Sequence, residues 1–229
     1  PIYFNYLAGR GGLSSVDYLA YWGYATSLVT ILVAVLGPTL GTLSDLRGRK
    51  KRFFLGSVLI GSVSCVVLGF MQSWLWFLGL FVISKTAYSS SLVFYDAMLP
   101  DVTEDSRVDE VSSYGYAWGY IGSCVPFVIS LLLILGADTI GLSGTAAMMI
   151  AFAINAAWWG LVTIPLLRNY KQNYYVESTG RITAKQSLSQ LAEIFGEIKN
   201  DKKVLLFLLS FFFYIDGVYT IIEMATSYG

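Results

Sequence analysis

The sequence has no histidine, and its 229 residues include only two cysteines and five prolines. Charge is also scarce. Asp, Glu, Lys and Arg make up 13% of the chain, about half the ~25% of an average soluble domain. Each shortage excludes something. Without histidine there is no imidazole-ligated metal, no Ser-His-Asp triad and no imidazole proton relay. Cys65 and Cys124 both fall inside apolar runs, so they read as small packing residues rather than a disulfide or a metal pair. Fifteen cations balance fifteen anions, which leaves no basic footprint for nucleic acid. What fills the space is apolar: 55% hydrophobic residues, 16% aromatic ones and a mean hydropathy of +0.62. That is the composition of an integral membrane protein, with the lipid bilayer as solvent.

A spanning helix needs roughly 20 mostly apolar residues. Such runs occur at 19–43, 53–70, 74–99, 114–135, 145–167 and 204–226, giving six spans of an all-α polytopic bundle. Residues 1–9 read as the last turns of a further helix. The chain starts without Met and stops directly after a span, and it is expected to be a piece of a longer protein. If the helices alternate, thirteen of the fifteen cations fall on one side. They include Arg47, Arg49, Lys50, Lys51 and Arg52 after the first full span and seven more between 168 and 203. The other side has Arg10, and Lys85 lies within a span. The positive-inside rule places the cation-rich side in the cytoplasm. Trp22, Trp74 and Trp76 are then expected at the outer interface, where indole rings favour the headgroups.

The polar segments are few. Between 168 and 203, Leu188, Leu191, Ile194, Phe195 and Ile198 recur at helical spacing, opposite Gln186, Gln190, Glu193, Glu197 and Lys199. This is a short amphipathic helix, read as a surface linker or as a docking or regulatory element. The acidic stretch 101–110 reads as a solvated loop. In the span 114–135, Gly115, Gly119 and Gly122 form a small-residue stripe suited to close packing, and Pro126 is a potential kink.

Ionisable groups inside spans are expensive and are functional candidates by default. Lys85 lies 11 residues into its span, and Asp96 follows 11 residues later at nearly the same helical angle. At 1.5 Å rise per residue they are about 16 Å apart, too far for a pair. Tyr88 and Ser89 lie between them on that face. The last span repeats the pattern, with Asp216, Thr220 and Glu223 on one face. These groups serve either a solute or coupling ion, or a structural pairing that fixes helix rotation.

After the first full span the chain reads Gly41-Thr42-Leu43-Ser44-Asp45-Leu46-Arg47-Gly48-Arg49-Lys50-Lys51-Arg52. Gly41 permits close helix approach, and Gly48 permits a positive φ in a tight turn. A topology-fixing run of cations would explain the charge, but not an acid at the membrane edge between two spaced glycines. The pattern resembles the signature between the second and third helices of the major facilitator superfamily, with Gly41, Asp45, Gly48, Lys50 and Lys51 in register and Leu46 where a cation is usual. Residues 1–4, 92–101, 214–218 and 224–229 resemble the vacuole-effluxer branch, which includes an autophagy-related amino-acid effluxer of fungal vacuoles.

The resemblance implies a major facilitator bundle, comprising the N-terminal half plus helix seven. Residues 1–9 would be the end of helix one, 10–167 helices two to six, 168–203 a cytoplasmic linker and 204–229 helix seven. It implies that the segment Gly41, Asp45, Gly48, Arg49, Lys50, Lys51 and Arg52 is a cytoplasmic gate, with Asp45 paired locally to Arg49 or Arg52. Lys85, Tyr88, Ser89 and Asp96 on helix four, and Asp216, Thr220 and Glu223 on helix seven, would face a central cavity. Lys85 would hold a substrate carboxylate, and Asp216 or Glu223 an ammonium group or a proton. The expected function is secondary transport of a small polar solute, such as an amino acid or a peptide-like zwitterion, by alternating access, with a proton or sodium as coupling ion. No cofactor, metal or catalysis is expected. The full-length protein would be a monomer in a bacterial-type plasma membrane or a vacuolar membrane. The competing reading is a non-transporting sensor or assembly protein that retains the fold. An intramembrane enzyme using Asp216 and Glu223 would need two carboxylates about 10 Å apart along one helix to share chemistry.

Overall fold

The computed structural model describes residues 2–177, 196 and 198–228, the last six of these by backbone alone. The described residues form eight bounded α-helices, further helical residues at 196 and 198–200, and no strand. They are α1 (Ile2–Arg10), α2 (Ser15–Ser44), α3 (Lys50–Leu68), α4 (Trp74–Ala97), α5 (Leu99–Val102), α6 (Val108–Leu135), α7 (Gly144–Asn169) and α8 (Lys202–Tyr228). Six helical segments are long and apolar enough to cross a membrane, one for each expected span. The amphipathic stripe Leu188, Leu191, Ile194 and Phe195 lies outside the described residues.

Local chemistry sets the helix boundaries. The Ser14 hydroxyl accepts from the Asp17 amide at 3.2 Å, and the Asp17 carboxylate accepts from the Ser14 amide at 3.3 Å. This capping box satisfies donors that would otherwise be orphaned at the start of α2. Ser143 caps α7 through the Ala146 amide at 3.2 Å. Between α2 and α3, Gly48 takes φ +71°. That left-handed conformation costs other residues about 1–2 kcal/mol, and it turns the chain straight into Lys50. Helix α6 continues through Pro126.

Helix α3 lies between α4 and α7, α2 packs on α4, α6 packs on α7, and α1 sits against α2 and α4. Two apolar clusters hold the bundle. At the cation-poor end, Tyr3, Phe4, Leu7, Trp22, Leu68 and Phe77 interlock. At the cation-rich end, Phe54, Val58, Phe94, Met98 and Tyr170 do the same. Helix α8 contributes no buried residue among those whose burial is described.

Several local expectations change. Trp22 does not sit at a headgroup interface. It is 6% exposed, with its ring 4.3 Å from Phe81 and 5.6 Å from Phe4, because α1 covers that face of α2. Trp76 is exposed, as expected of an interfacial indole. The Gly115, Gly119 and Gly122 stripe makes no close backbone approach to a described helix. A methyl at Gly119 or Gly122 would meet nothing within 4 Å, and one at Gly115 only the Tyr95 hydroxyl at 3.6 Å. Helix α6 instead uses Ser130, which accepts from Asn155 of α7 at 3.0 Å. Gly41 likewise has no described neighbour within 4 Å of its would-be methyl. The tight glycine is Gly61 on α3, which lies directly beneath Trp159. Both cysteines are free, Cys65 half-buried and Cys124 exposed.

Candidate functional site

On α4 the residues Thr86, Ala87, Ser90, Ser91 and Phe94 are buried. They are small or polar apart from Phe94, which lets neighbouring helices approach closely. At ~100° per residue, Lys85, Ser89 and Asp96 lie on the opposite side of the helix. Lys85 and Ser89 are half-buried, and Asp96 is exposed. The described bundle thus covers the polar stripe of α4 only in part, leaving it most open at Asp96. The Lys85 ammonium lies 5.5 Å from the Tyr88 ring centroid, within cation–π range. Tyr88 in turn meets Trp159 of α7 edge-on, with centroids 5.7 Å apart and planes at 72°. On α8, Asp216 and Thr220 are exposed, and the Glu223 side chain lies outside the described residues.

The second constellation sits at the cation-rich end, and its centre is Asp101 rather than Asp45. Asp101 belongs to the stretch expected to be a solvated loop, yet its side chain is fully buried. Its Oδ2 accepts from Lys50 Nζ at 3.1 Å and from the Tyr170 hydroxyl at 2.5 Å. Its Oδ1 accepts from the backbone amides of Asn173 and Tyr174 at 2.8 and 2.7 Å. Asn173 Nδ2 donates to the Asp101 carbonyl at 2.8 Å. Lys50, itself 4% exposed, also donates to the Ala97 carbonyl at 2.9 Å. A buried carboxylate persists only when its acceptor positions are filled, and here four donors fill them.

Those donors also set its acidity. Burial alone would raise the Asp101 carboxyl. The hydrogen bonds from Tyr170, the Tyr174 amide, Lys50 and the Asn173 amide outweigh it and hold the group below the usual carboxylate range. Burial, together with the negative charge of Asp101, pushes the Tyr170 hydroxyl far up.

Asp45 is half-exposed, and its ion-pair partner is Lys50 at 3.7 Å. The expected partners Arg49 and Arg52 are exposed, because the first turn of α3 directs Lys50 inward instead. Lys51 is half-buried. The Asp45 carbonyl accepts from the Val176 amide at 2.9 Å and from Gln172 Nε2 at 3.3 Å. Leu46 is buried and forms a bridge with Val176. This accounts for an apolar residue where a cation is usual: residues 170–176 double back over the turn and cover that position. Arg47 stacks over Tyr175, 5.3 Å from its centroid. A strap leaving α7 is therefore clamped to the α2–α3 turn and to α5.

The sequence pattern singles out Lys50 but misses Asp101, Tyr170, Asn173 and Trp159. One signal was available: Asp101 follows Pro100 at the end of a span, on the same side as the α2–α3 cations.

Six apolar helices, a glycine turn with its acid–lysine pair, and a polar stripe on a partly covered helix face together define a multi-pass membrane protein of the major facilitator type. Residues 7–108 and 102–229 match the vacuole effluxer Atg22-like family. The chain belongs to that family. It is 43% identical over 233 residues to the uncharacterized MFS-type transporter YxiO of Bacillus subtilis (strain 168), covering 100% of this chain and 54% of that protein. The chain thus spans about half the length of this curated relative. No solved structure matches the chain.

Proposed function

We propose that the intact protein is a secondary transporter that moves a small zwitterionic solute, of the amino-acid class, by alternating access. The observation that carries this reading is the polar stripe of α4. It places the Lys85 ammonium on the face that the described helices cover only in part, and such groups in spans serve solute or ion pathways by default. In this reading Lys85 holds the solute carboxylate, with Tyr88 and Ser89 beside it. Asp216, with Thr220 and Glu223 further along α8, takes the ammonium group or a coupling proton or sodium ion. Asp96 lines the path toward the cation-rich end. The turn Gly41, Asp45, Gly48, Arg49, Lys50, Lys51 and Arg52 forms the cytoplasmic gate. The protein works as a monomer in a bacterial-type plasma membrane.

Reconstitution tests this directly. The full-length protein in proteoliposomes is assayed for flux of a radiolabelled amino-acid mixture, alongside Lys85→Ala and Asp216→Asn. Flux in the wild type and loss of at least tenfold in Lys85→Ala are expected. Unchanged flux in both variants would end the site assignment. Ligand-dependent stabilisation without flux would favour a sensor that retains the fold.

A further inference from the structure

The environment of Lys85 contains a stack that spans three helices. Gly61 of α3 lies under the Trp159 indole, and a methyl built there would run into Cζ3 at 2.5 Å. The Ser84 hydroxyl donates to the Gly61 carbonyl at 3.2 Å, fixing α3 against α4 at that level. Trp159, so seated, meets the Tyr88 ring in a T-shaped contact. Tyr88 presents its ring to the Lys85 ammonium. Tyr88 is 41% exposed, so one side of it lacks packing to hold its rotamer, and Trp159 supplies the wall on the other.

We propose that Trp159, seated on Gly61, is a positioning residue that fixes the Tyr88 ring, and through it the Lys85 ammonium, for recognition of a solute carboxylate. This deepens the proposed transport site and rests on that reading. The physics is that of pre-organisation. A long lysine side chain loses several rotors when it binds an anion, and a ring face that already holds the ammonium removes much of that cost. Trp159 touches no solute; it acts through Tyr88. Gly61 is required because any larger residue would push the indole off the ring it supports.

Two readouts test it on the full-length protein. The first is the rate at which trinitrobenzenesulfonate modifies Lys85 in nanodiscs, followed by peptide mass spectrometry. The second is the concentration of the radiolabelled amino-acid mixture that gives half-maximal flux in proteoliposomes. Trp159→Ala and Tyr88→Leu should each speed Lys85 modification about fivefold or more, within the range that loss of a partly desolvated cation–π contact supports. Trp159→Ala should also raise the half-maximal concentration while leaving maximal flux within twofold. Trp159→Phe, which keeps a ring, should stay within twofold of wild type in both readouts, and Tyr88→Phe should keep Lys85 modification within twofold of wild type. Gly61→Ala should move both in the same direction as Trp159→Ala. If Trp159→Ala does not fold, the Tyr88→Leu and Tyr88→Phe pair decides. Lys85 modification within twofold of wild type in both Trp159→Ala and Tyr88→Leu would overturn the proposal. The site reading fails separately, if Lys85→Ala transports normally, and the modification rates still judge the stack.

Discussion

Asp101→Asn is the sharpest perturbation of the cation-rich end, because the variant preserves shape and changes only the donor–acceptor character. In the wild type both carboxylate oxygens are used twice: Oδ2 by Lys50 and Tyr170, and Oδ1 by the Asn173 and Tyr174 amides. An asparagine has one acceptor oxygen. Whichever way its amide is flipped, two donors then face its NH2 group. If the NH2 faces Lys50, the ammonium, whose side chain is 5% exposed, keeps Asp45 at 3.7 Å as its one carboxylate partner among the described residues. If it faces the strap, two backbone amides lose their acceptor. Removing one partner of a buried ion pair costs about 3–5 kcal/mol, and each stranded neutral donor about 1–3 kcal/mol. A loss of about 3–5 kcal/mol is therefore expected.

Lys50→Met should cost less, about 1–3 kcal/mol, because Asp101 keeps three donors while the Ala97 carbonyl loses one. The double variant should cost clearly less than the sum of the two, since Lys50→Met removes the charge that Asp101→Asn strands. The assay is the thermal unfolding midpoint of detergent-purified full-length protein, followed by tryptophan fluorescence. At ~1–2 °C per kcal/mol for a chain about twice this length, the Asp101→Asn midpoint should fall by roughly five degrees. A shift under about 3 °C, or strict additivity in the double variant, would refute the claim that this carboxylate anchors the strap.

Two further outcomes follow from the same geometry. Asp101 is held below the usual carboxylate range, so its stabilisation is fully present above the unfolded value of about 3.9 and is lost as pH falls through the lower folded value. Tyr170→Phe removes one lowering hydrogen bond, so the folded value rises toward the unfolded one, and the acid-dependent loss should be smaller and complete at higher pH. Unfolding midpoints measured from pH 6 to 3 check this, and superimposable wild-type and variant profiles would contradict it. Leu46→Lys restores the cation usual at that position in the superfamily motif but places it where Leu46 is buried against Val176. It should lower stability by about 1–3 kcal/mol, through lost apolar burial and a desolvated ammonium, whereas Leu46→Met should be near neutral. A stabilising Leu46→Lys would mean that the strap does not cover the turn.

How much of this was legible in the sequence depends on the range of the physics involved. Span number and the turn at Gly48 are local properties, governed by hydropathy over about 20 residues and by one backbone angle. Both read correctly from the sequence. The same is true of the polar stripe on α4, because helical periodicity alone puts Lys85, Ser89 and Asp96 on one side. Pairing across the fold was not legible. Asp45 was assigned the arginines nearest to it in the motif, whereas α3 directs Lys50 inward to a carboxylate 51 residues further along the chain. The acidic stretch 101–110 looked uniformly solvated, because composition averages over the one residue that is buried. Trp22 looked interfacial because an indole at a helix end is equally suited to a headgroup or to a neighbouring ring, and only α1 decides between them. The departure at Leu46 is the most instructive. Against the motif it looked like a missing contact. In the fold it is the apolar floor under a strap whose amide and amide-bearing side chain bond the neighbouring Asp45 carbonyl. A motif position can thus exchange a charge for a packing surface while the turn that carries it stays the same, provided the chain returns to cover it. Here Tyr170, Asn173 and Tyr174 bring it back, all three anchored on Asp101.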